Sequence, residues 1–173
     1  MHLRIGDNVI RNWMVDDGPA LLKWADNPKI AANLRDGFPS PYTAVDAEEF
    51  LHNATGKMSQ DFFAIANANE AIGAIGLMRG EDVHRFTAEL GYWLAEPFWG
   101  KGIISAAVVT LVDFAFETLD YYRIFAEPYA HNAASARVLE KAGFQFEGRM
   151  RAHVFKNGQV LDQLVYARVK EGL

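Results

Sequence analysis

The chain has 173 residues, half of them apolar and 13% aromatic, which supplies a core for one ordinary domain and rules out a disordered chain. Against 17 basic residues stand 22 acidic ones, and the formal net charge of −5 argues against a basic face for non-specific duplex binding. There is no cysteine, so disulfides, thiolate zinc sites, iron–sulfur clusters and cysteine nucleophiles are excluded.

The opening Met1-His2-Leu3-Arg4 meets a charge before any long apolar run, unlike a secretory signal. The most apolar stretch, Ile103 to Val112, is stopped by Asp113, far short of the ~20 residues of a membrane helix. No repeat or linker is visible. The expectation is a single cytoplasmic domain over residues 1–173, with no membrane or nucleic-acid partner.

Leu3–Ile5 and Val9–Trp13 read as a strand or hairpin around Gly6-Asp7-Asn8. Asp16 or Asp17 can cap a helix through Pro19 to Ala25, and a second short helix follows Pro28 to about Leu34. Arg35 to Tyr42 is a loop by its Gly and Pro content. Thr43 or Asp46 starts a helix in which Ala47, Phe50, Leu51 and Ala54 recur at helical spacing.

The period then changes. Phe62–Ala66 and Ala71–Met78 are strands joined by a turn at Asn67–Glu70, and Thr87–Leu94 is a third, stopped by Pro97. Gly102 to Leu119 is the strongest helix, with Ala107, Val108, Leu111, Val112, Ala115 and Phe116 on one stripe. Tyr122–Glu127 is a strand, and Asn132–Ala142 is a helix ended by Gly143. Phe144–Arg151 and Val160–Val169 are the last strands. The alternation describes an α/β chain with a mixed sheet.

Between Trp93 and Ser105 a strand ends, a glycine turn follows and a long helix begins. Amides at a helix start are unpaired and sit at the positive end of its dipole, and glycines let a phosphate approach them. The segment is therefore either a phosphate cradle or a turn that needs glycine only for its geometry. It is not a Walker loop, because Lys101 is followed by Gly102. Nor is it the dinucleotide fingerprint, because Ser105 stands where the third glycine belongs. The five histidines show no His-x-x-x-His spacing, so no metal site is expected. His131 and His153 are either surface residues or polar groups near a cleft.

Trp99-Gly100-Lys101-Gly102-Ile103-Ile104 resembles the Arg/Gln-x-x-Gly-x-Gly/Ala coenzyme A loop of the GNAT superfamily of N-acetyltransferases. Trp99 takes the first position, as in the RimJ/RimL-like branch, and Ile104 departs from the usual Gly or Ala. A second block, His131-Asn132-Ala133-Ala134-Ser135 to Leu139-Glu140-Lys141-Ala142-Gly143-Phe144, is similar to that branch's His-Asn-x-x-Ser-x-x-x-Leu-Glu-Lys-x-Gly-Phe.

The resemblance implies a GNAT fold: a mostly antiparallel twisted sheet of about seven strands, splayed between the fourth and fifth and flanked by helices. It implies acetyl-CoA as donor, no metal, and a primary amine as acceptor, either a protein N-terminus or a small molecule. Backbone groups of Trp93, Leu94 and Ala95 would meet pantetheine, with an amide near Leu94 on the thioester carbonyl. Trp99, Gly100, Lys101, Gly102, Ile103, Ile104 and Ser105 would surround the pyrophosphate, and Asn132 would contact pantetheine, cap its helix, or both. Ser135 is the candidate proton donor to the leaving thiolate. Glu89 is either the base or a structural carboxylate. Arg35, Phe38 and Tyr42 either shape the acceptor site or belong to a plain surface loop. The alternative function is a non-catalytic acyl-CoA-binding or sensor domain, and the assembly expected is a monomer or homodimer.

Overall fold

The computed structural model describes residues 1–56 and 62–172. Eight strands are hydrogen-bonded in the order β1-β2-β3-β4-β5-β6-β8-β7. They are β1 (His2–Ile5), β2 (Asn8–Arg11), β3 (Phe62–Ala66), β4 (Ala71–Arg79), β5 (Thr87–Leu94), β6 (Arg123–Ala126), β7 (Gln145–Lys156) and β8 (Gln159–Val169). The helices are α1 (Gly18–Ala25), α2 (Pro28–Ala31), α3 (Ala44–Thr55), α4 (Ile103–Thr118) and α5 (Ala133–Lys141). The N-terminal segment is a hairpin of two strands, which accounts for eight strands where about seven were expected. The parallel neighbours β5 and β6 are accordingly fifth and sixth in chain order.

The chain divides into two compact units, one of residues 1–76 and 92–107, the other of 77–91 and 108–173. In the first, β1, β2, β3 and β4 pair antiparallel in succession. Trp13, Leu21, Ala25, Tyr42, Ala47 and Leu51 pack with Ala64, Ala71 and Ala74 in its core. Small residues on β3 and β4 leave room for the aromatic rings.

Thr43 is the N-cap of α3. Its hydroxyl accepts from the Asp46 amide, and Asp46 accepts from the Thr43 amide at 2.7 Å, closing a capping box. The Thr43 hydroxyl also donates to the Asp46 carboxylate at 2.6 Å, and that bond, followed by the one from the Thr43 amide, holds the Asp46 carboxyl below its ordinary range. Asp17 stands at the N-cap of α1, as expected, but its side chain makes no cap hydrogen bond there. Its side chain accepts two bonds from Arg11, each 2.7 Å, and one from the Met14 amide at 2.9 Å. A carboxylate only 4% exposed must be paired, and the guanidinium on β2 outcompetes the helix start for it.

In the second unit β5 pairs with β6 in parallel, Thr87 opposite Arg123 through Glu89 opposite Phe125. β8 pairs antiparallel with β6 and with β7. Val108, Leu111, Val112 and Ala115 of α4 are fully buried, as are Ile124 and Leu139. β7 runs to Lys156 instead of ending at Arg151. Its alternation is broken by a bulge between Met150 and Val154, where Ala152 takes φ +51° and its amide donates to Asp162 at 2.8 Å. The Asn157-Gly158 turn, with φ +51° and +77°, then closes the hairpin with β8.

Candidate active site

β5 leaves the sheet through a short 3-10 turn at Glu96–Phe98. The Phe98 amide donates to the Ala95 carbonyl at 3.0 Å and the Trp99 amide to the Glu96 carbonyl at 3.1 Å. The Glu96 carboxylate is tied to α2: it pairs with Lys29 and accepts from Asn27 Nδ2 at 2.9 Å. Those two partners hold its carboxyl below the ordinary range. Trp24 packs edge-on against Phe98 at 5.8 Å between ring centroids. The turn is thus fixed before the glycines begin.

Gly100 and Gly102 take φ +72° and +76°, a region in which a side chain is strained. A Cβ added at either would find no heavy atom within 4 Å. Crowding therefore does not explain these glycines; backbone conformation and open space do. The Gly102 carbonyl accepts the Ala106 amide at 3.0 Å, which begins α4. The amides of Ile103, Ile104 and Ser105 have no carbonyl inside the helix to donate to. Lys101 is exposed, its ammonium 5.3 Å from the centre of the Phe98 ring. Open space, first-turn amides and a lysine are the donor set that suits a pyrophosphate. Ile104 is half-buried, and its departure from Gly or Ala leaves the backbone amide in place.

At the end of β5 the three backbones differ. The Ala95 amide donates to Ile72 on β4 at 2.8 Å and its carbonyl accepts Phe98, so both groups are committed. The Trp93 carbonyl lies against Gly73 of β4. Because N–H and C=O of one residue point to the same side of a strand, those of Leu94 face away from β4. The Leu94 carbonyl accepts the Trp99 indole N–H at 2.6 Å.

The Arg35–Tyr42 loop is brought to the same strand end. Phe38 lies tilted against Tyr42 at 5.3 Å and edge-on to Trp93 at 5.9 Å between ring centroids. The Tyr42 amide donates to Asp26 at 3.0 Å, and burial, with Asp46 nearby, pushes its phenol up to about 12. Arg35 is exposed; its carbonyl accepts the Phe38 amide at 2.9 Å.

In the second unit Glu89 is half-buried on β5. After β6, residues 127–130 turn onto β8: Ala130 donates to Asp162 at 2.9 Å, Leu164 to Pro128 at 2.9 Å, and Gln163 Nε2 to Glu127 at 2.6 Å. This delivers α5. Asn132 is its N-cap, with Oδ1 accepting the Ser135 amide at 3.1 Å, so the capping role holds and Nδ2 is the group left for another partner. Ser135 is half-buried in the first turn of α5, whereas His131 and His153 are exposed.

Gly73, Asn27 and Glu96 were not singled out in the sequence. A glycine inside a strand is itself a signal of close backbone approach. The pairing of Asn27 and Glu96, far apart in the chain, had no local signal. Among the described residues no helix is long and apolar enough to cross a membrane.

The acetyltransferase (GNAT) domain model matches residues 8–145. The N-acetyltransferase YoaA of Bacillus subtilis is 38% identical over 104 residues, which is 60% of this chain and 58% of that protein. The ribosomal-protein-serine acetyltransferase of Escherichia coli is 35% identical over 107 residues, 62% of this chain and 59% of that one. The chain thus spans little more than half the length of these relatives. In fold it is similar to RimL, the ribosomal L7/L12 α-N-protein acetyltransferase solved with coenzyme A, with TM-score 0.87, 23% identity and 98% of each chain covered. The chain belongs to the GNAT acetyltransferase domain family.

Proposed function

We propose that residues 1–173 act as one acetyl-CoA-dependent N-acetyltransferase domain, cytoplasmic, whose acceptor is a protein N-terminal α-amine, with a small-molecule amine as the other candidate. The observation that carries this reading is the open pair of positive-φ glycines at the start of α4. The α-amine is favoured because the Escherichia coli relative is named for a ribosomal-protein serine.

Acetyl-CoA supplies an activated acetyl group on a thioester. The amides from Gly100 to Ser105 and Lys101 hold its pyrophosphate. Asn132 Nδ2 meets pantetheine. The Leu94 amide draws charge from the thioester carbonyl, an oxyanion-type role. Glu89, directly or through water, takes the proton of the attacking amine. Ser135 returns a proton to the departing thiolate. Arg35, Phe38 and Tyr42 shape the acceptor side. Only a neutral amine attacks, and a lysine costs about 3–4 kcal/mol more to deprotonate than an α-amine. An α-amine therefore asks less of Glu89.

Calorimetric titration with acetyl-CoA is the test. Micromolar binding followed by product with a peptide or amine panel supports the reading. Binding without product makes the chain an acyl-CoA-binding domain. No binding by folded protein removes both.

A further inference from the structure

The corner between α1 and α2 ties down two separate segments. Asp26 closes α1, and its Oδ1 accepts the Tyr42 amide at 3.0 Å. The next residue, Asn27, donates from Nδ2 to Glu96 ahead of the glycine turn. The corner is itself stiff: the Asn27 amide donates to the Ala25 carbonyl at 2.7 Å, and Asn27 Oδ1 accepts the Lys29 amide at 2.9 Å. The loop it holds is poor in donors. Proline has no N–H, so Phe38-Pro39-Ser40-Pro41-Tyr42 carries amides only at Phe38, Ser40 and Tyr42. The Phe38 amide is spent inside the loop, on the Arg35 carbonyl at 2.9 Å. The Tyr42 amide is spent outside it, on α1. Tyr42 is buried, and the half-buried Phe38 ring lies between it and Trp93 at the end of β5.

We propose that Asp26 is a positioning residue for the acceptor: by holding the Tyr42 backbone amide it fixes the end of the Arg35–Tyr42 loop, and with it the place of the Phe38 ring beside Trp93. This rests on the reading that the loop shapes the acceptor side. Asp26 touches neither acetyl-CoA nor the amine in this role. A bond from an amide to a carboxylate is charge-assisted and stronger than one between neutral groups. The donor side hangs on other bonds, since Glu96 answers to Asn27 and Lys29. Releasing Tyr42 therefore loosens the acceptor side and leaves the glycine cradle as it is. Binding lost equally from the ground state and the transition state raises KM and spares kcat.

The probe is a hexapeptide with a free N-terminal serine, assayed at saturating acetyl-CoA. Asp26 is exposed, so Asp26→Ala leaves the core intact. That variant is expected to raise the peptide KM about tenfold, the scale of one lost bond to a charged group. Its kcat and its acetyl-CoA affinity by calorimetry stay near wild type. Asp26→Asn keeps an Oδ1 acceptor and keeps KM near wild type. A variant that is merely less folded would lower kcat and leave KM alone. Hydrogen exchange of the unliganded protein reads the bond itself: the Tyr42 amide is protected in wild type and in Asp26→Asn, and exchanges fast in Asp26→Ala. An unchanged KM in Asp26→Ala, a fall in kcat alone, an equal loss of acetyl-CoA affinity, a failure of Asp26→Asn to keep KM low, or a Tyr42 amide that exchanges no faster in Asp26→Ala overturns the proposal. Absence of product from wild-type protein that binds acetyl-CoA overturns the peptide-acceptor reading, and the role of Asp26 with it. Absence of acetyl-CoA binding overturns the proposed function itself.

Discussion

A Cβ placed on Gly73 would stand 2.5 Å from the carbonyl oxygen of Trp93 and 3.1 Å from the Leu94 Cα. Both neighbours are backbone, so neither can rotate aside. Gly73→Ala is expected to force β4 and β5 apart locally and to destabilise the protein by about 1–3 kcal/mol. Gly91→Ala is the control: its Cβ would meet only the flexible end of Met78 at 3.7 Å. Urea unfolding of the two variants checks this. Equal stability would mean that β5 tolerates displacement at this point.

Gly102 has the opposite character, open space with a constrained backbone. Gly102→Asp places a carboxylate where the first-turn amides and Lys101 await an anion. Acetyl-CoA affinity is expected to drop at least about tenfold from the lost electrostatic match. Gly102→Ala carries the strain alone and is expected to lose less. Calorimetry on folded variants separates the two, and unchanged affinity in Gly102→Asp would dispose of the cradle.

Ser135 sits one turn into α5 with its amide already capped by Asn132. Ser135→Ala should therefore leave the helix intact. Acetyl transfer is expected to slow by about 10²-fold or more, the scale of a lost general acid, with acetyl-CoA affinity nearly unchanged. A wild-type rate with any active acceptor would reduce Ser135 to a packing residue.

Tyr42 carries a pH signature. Its phenol, ordinarily at 10.0, is pushed up to about 12, first by burial and then by the Asp46 carboxylate. The folded protein thus resists ionisation that the unfolded chain accepts. The stabilisation is complete below pH 10.0 and is lost as pH rises toward about 12. Tyr42→Phe removes the ionisable group, so its stability relative to wild type should rise across that window. Denaturant titrations at pH 9 and pH 11 supply the comparison; a constant difference would contradict it.

Most elements were legible because their signals are local. The Thr43 cap with Asp46 three residues on, the Asn67–Glu70 turn and the Gly143 stop each sit where the structure ends or begins an element. The Asp17 side chain misled because a helix-start carboxylate and an ion-pair partner look alike until Arg11 is placed beside it. β7 was cut short because the Ala152 bulge breaks the alternation on which strand reading depends, even though Asn157-Gly158 marks the true turn. At the site the glycine turn was visible from spacing. The Phe38–Trp93 contact and the Trp99–Leu94 bond were not, since both depend on how the chain folds back.

Each compact unit is assembled from two separate stretches of sequence, 1–76 with 92–107 and 77–91 with 108–173. No single cut in the chain can therefore release either one whole. A nick in the segment Gly80–Phe86, which lies in the second unit, would divide both units, parting residues 1–76 from 92–107 and splitting 77–91, and a truncation after Ala107 would remove most of the second unit and leave its residues 77–91 behind. Limited proteolysis should accordingly proceed from intact chain to small peptides without two durable halves, and fragments meant for separate study must be co-expressed to complement one another.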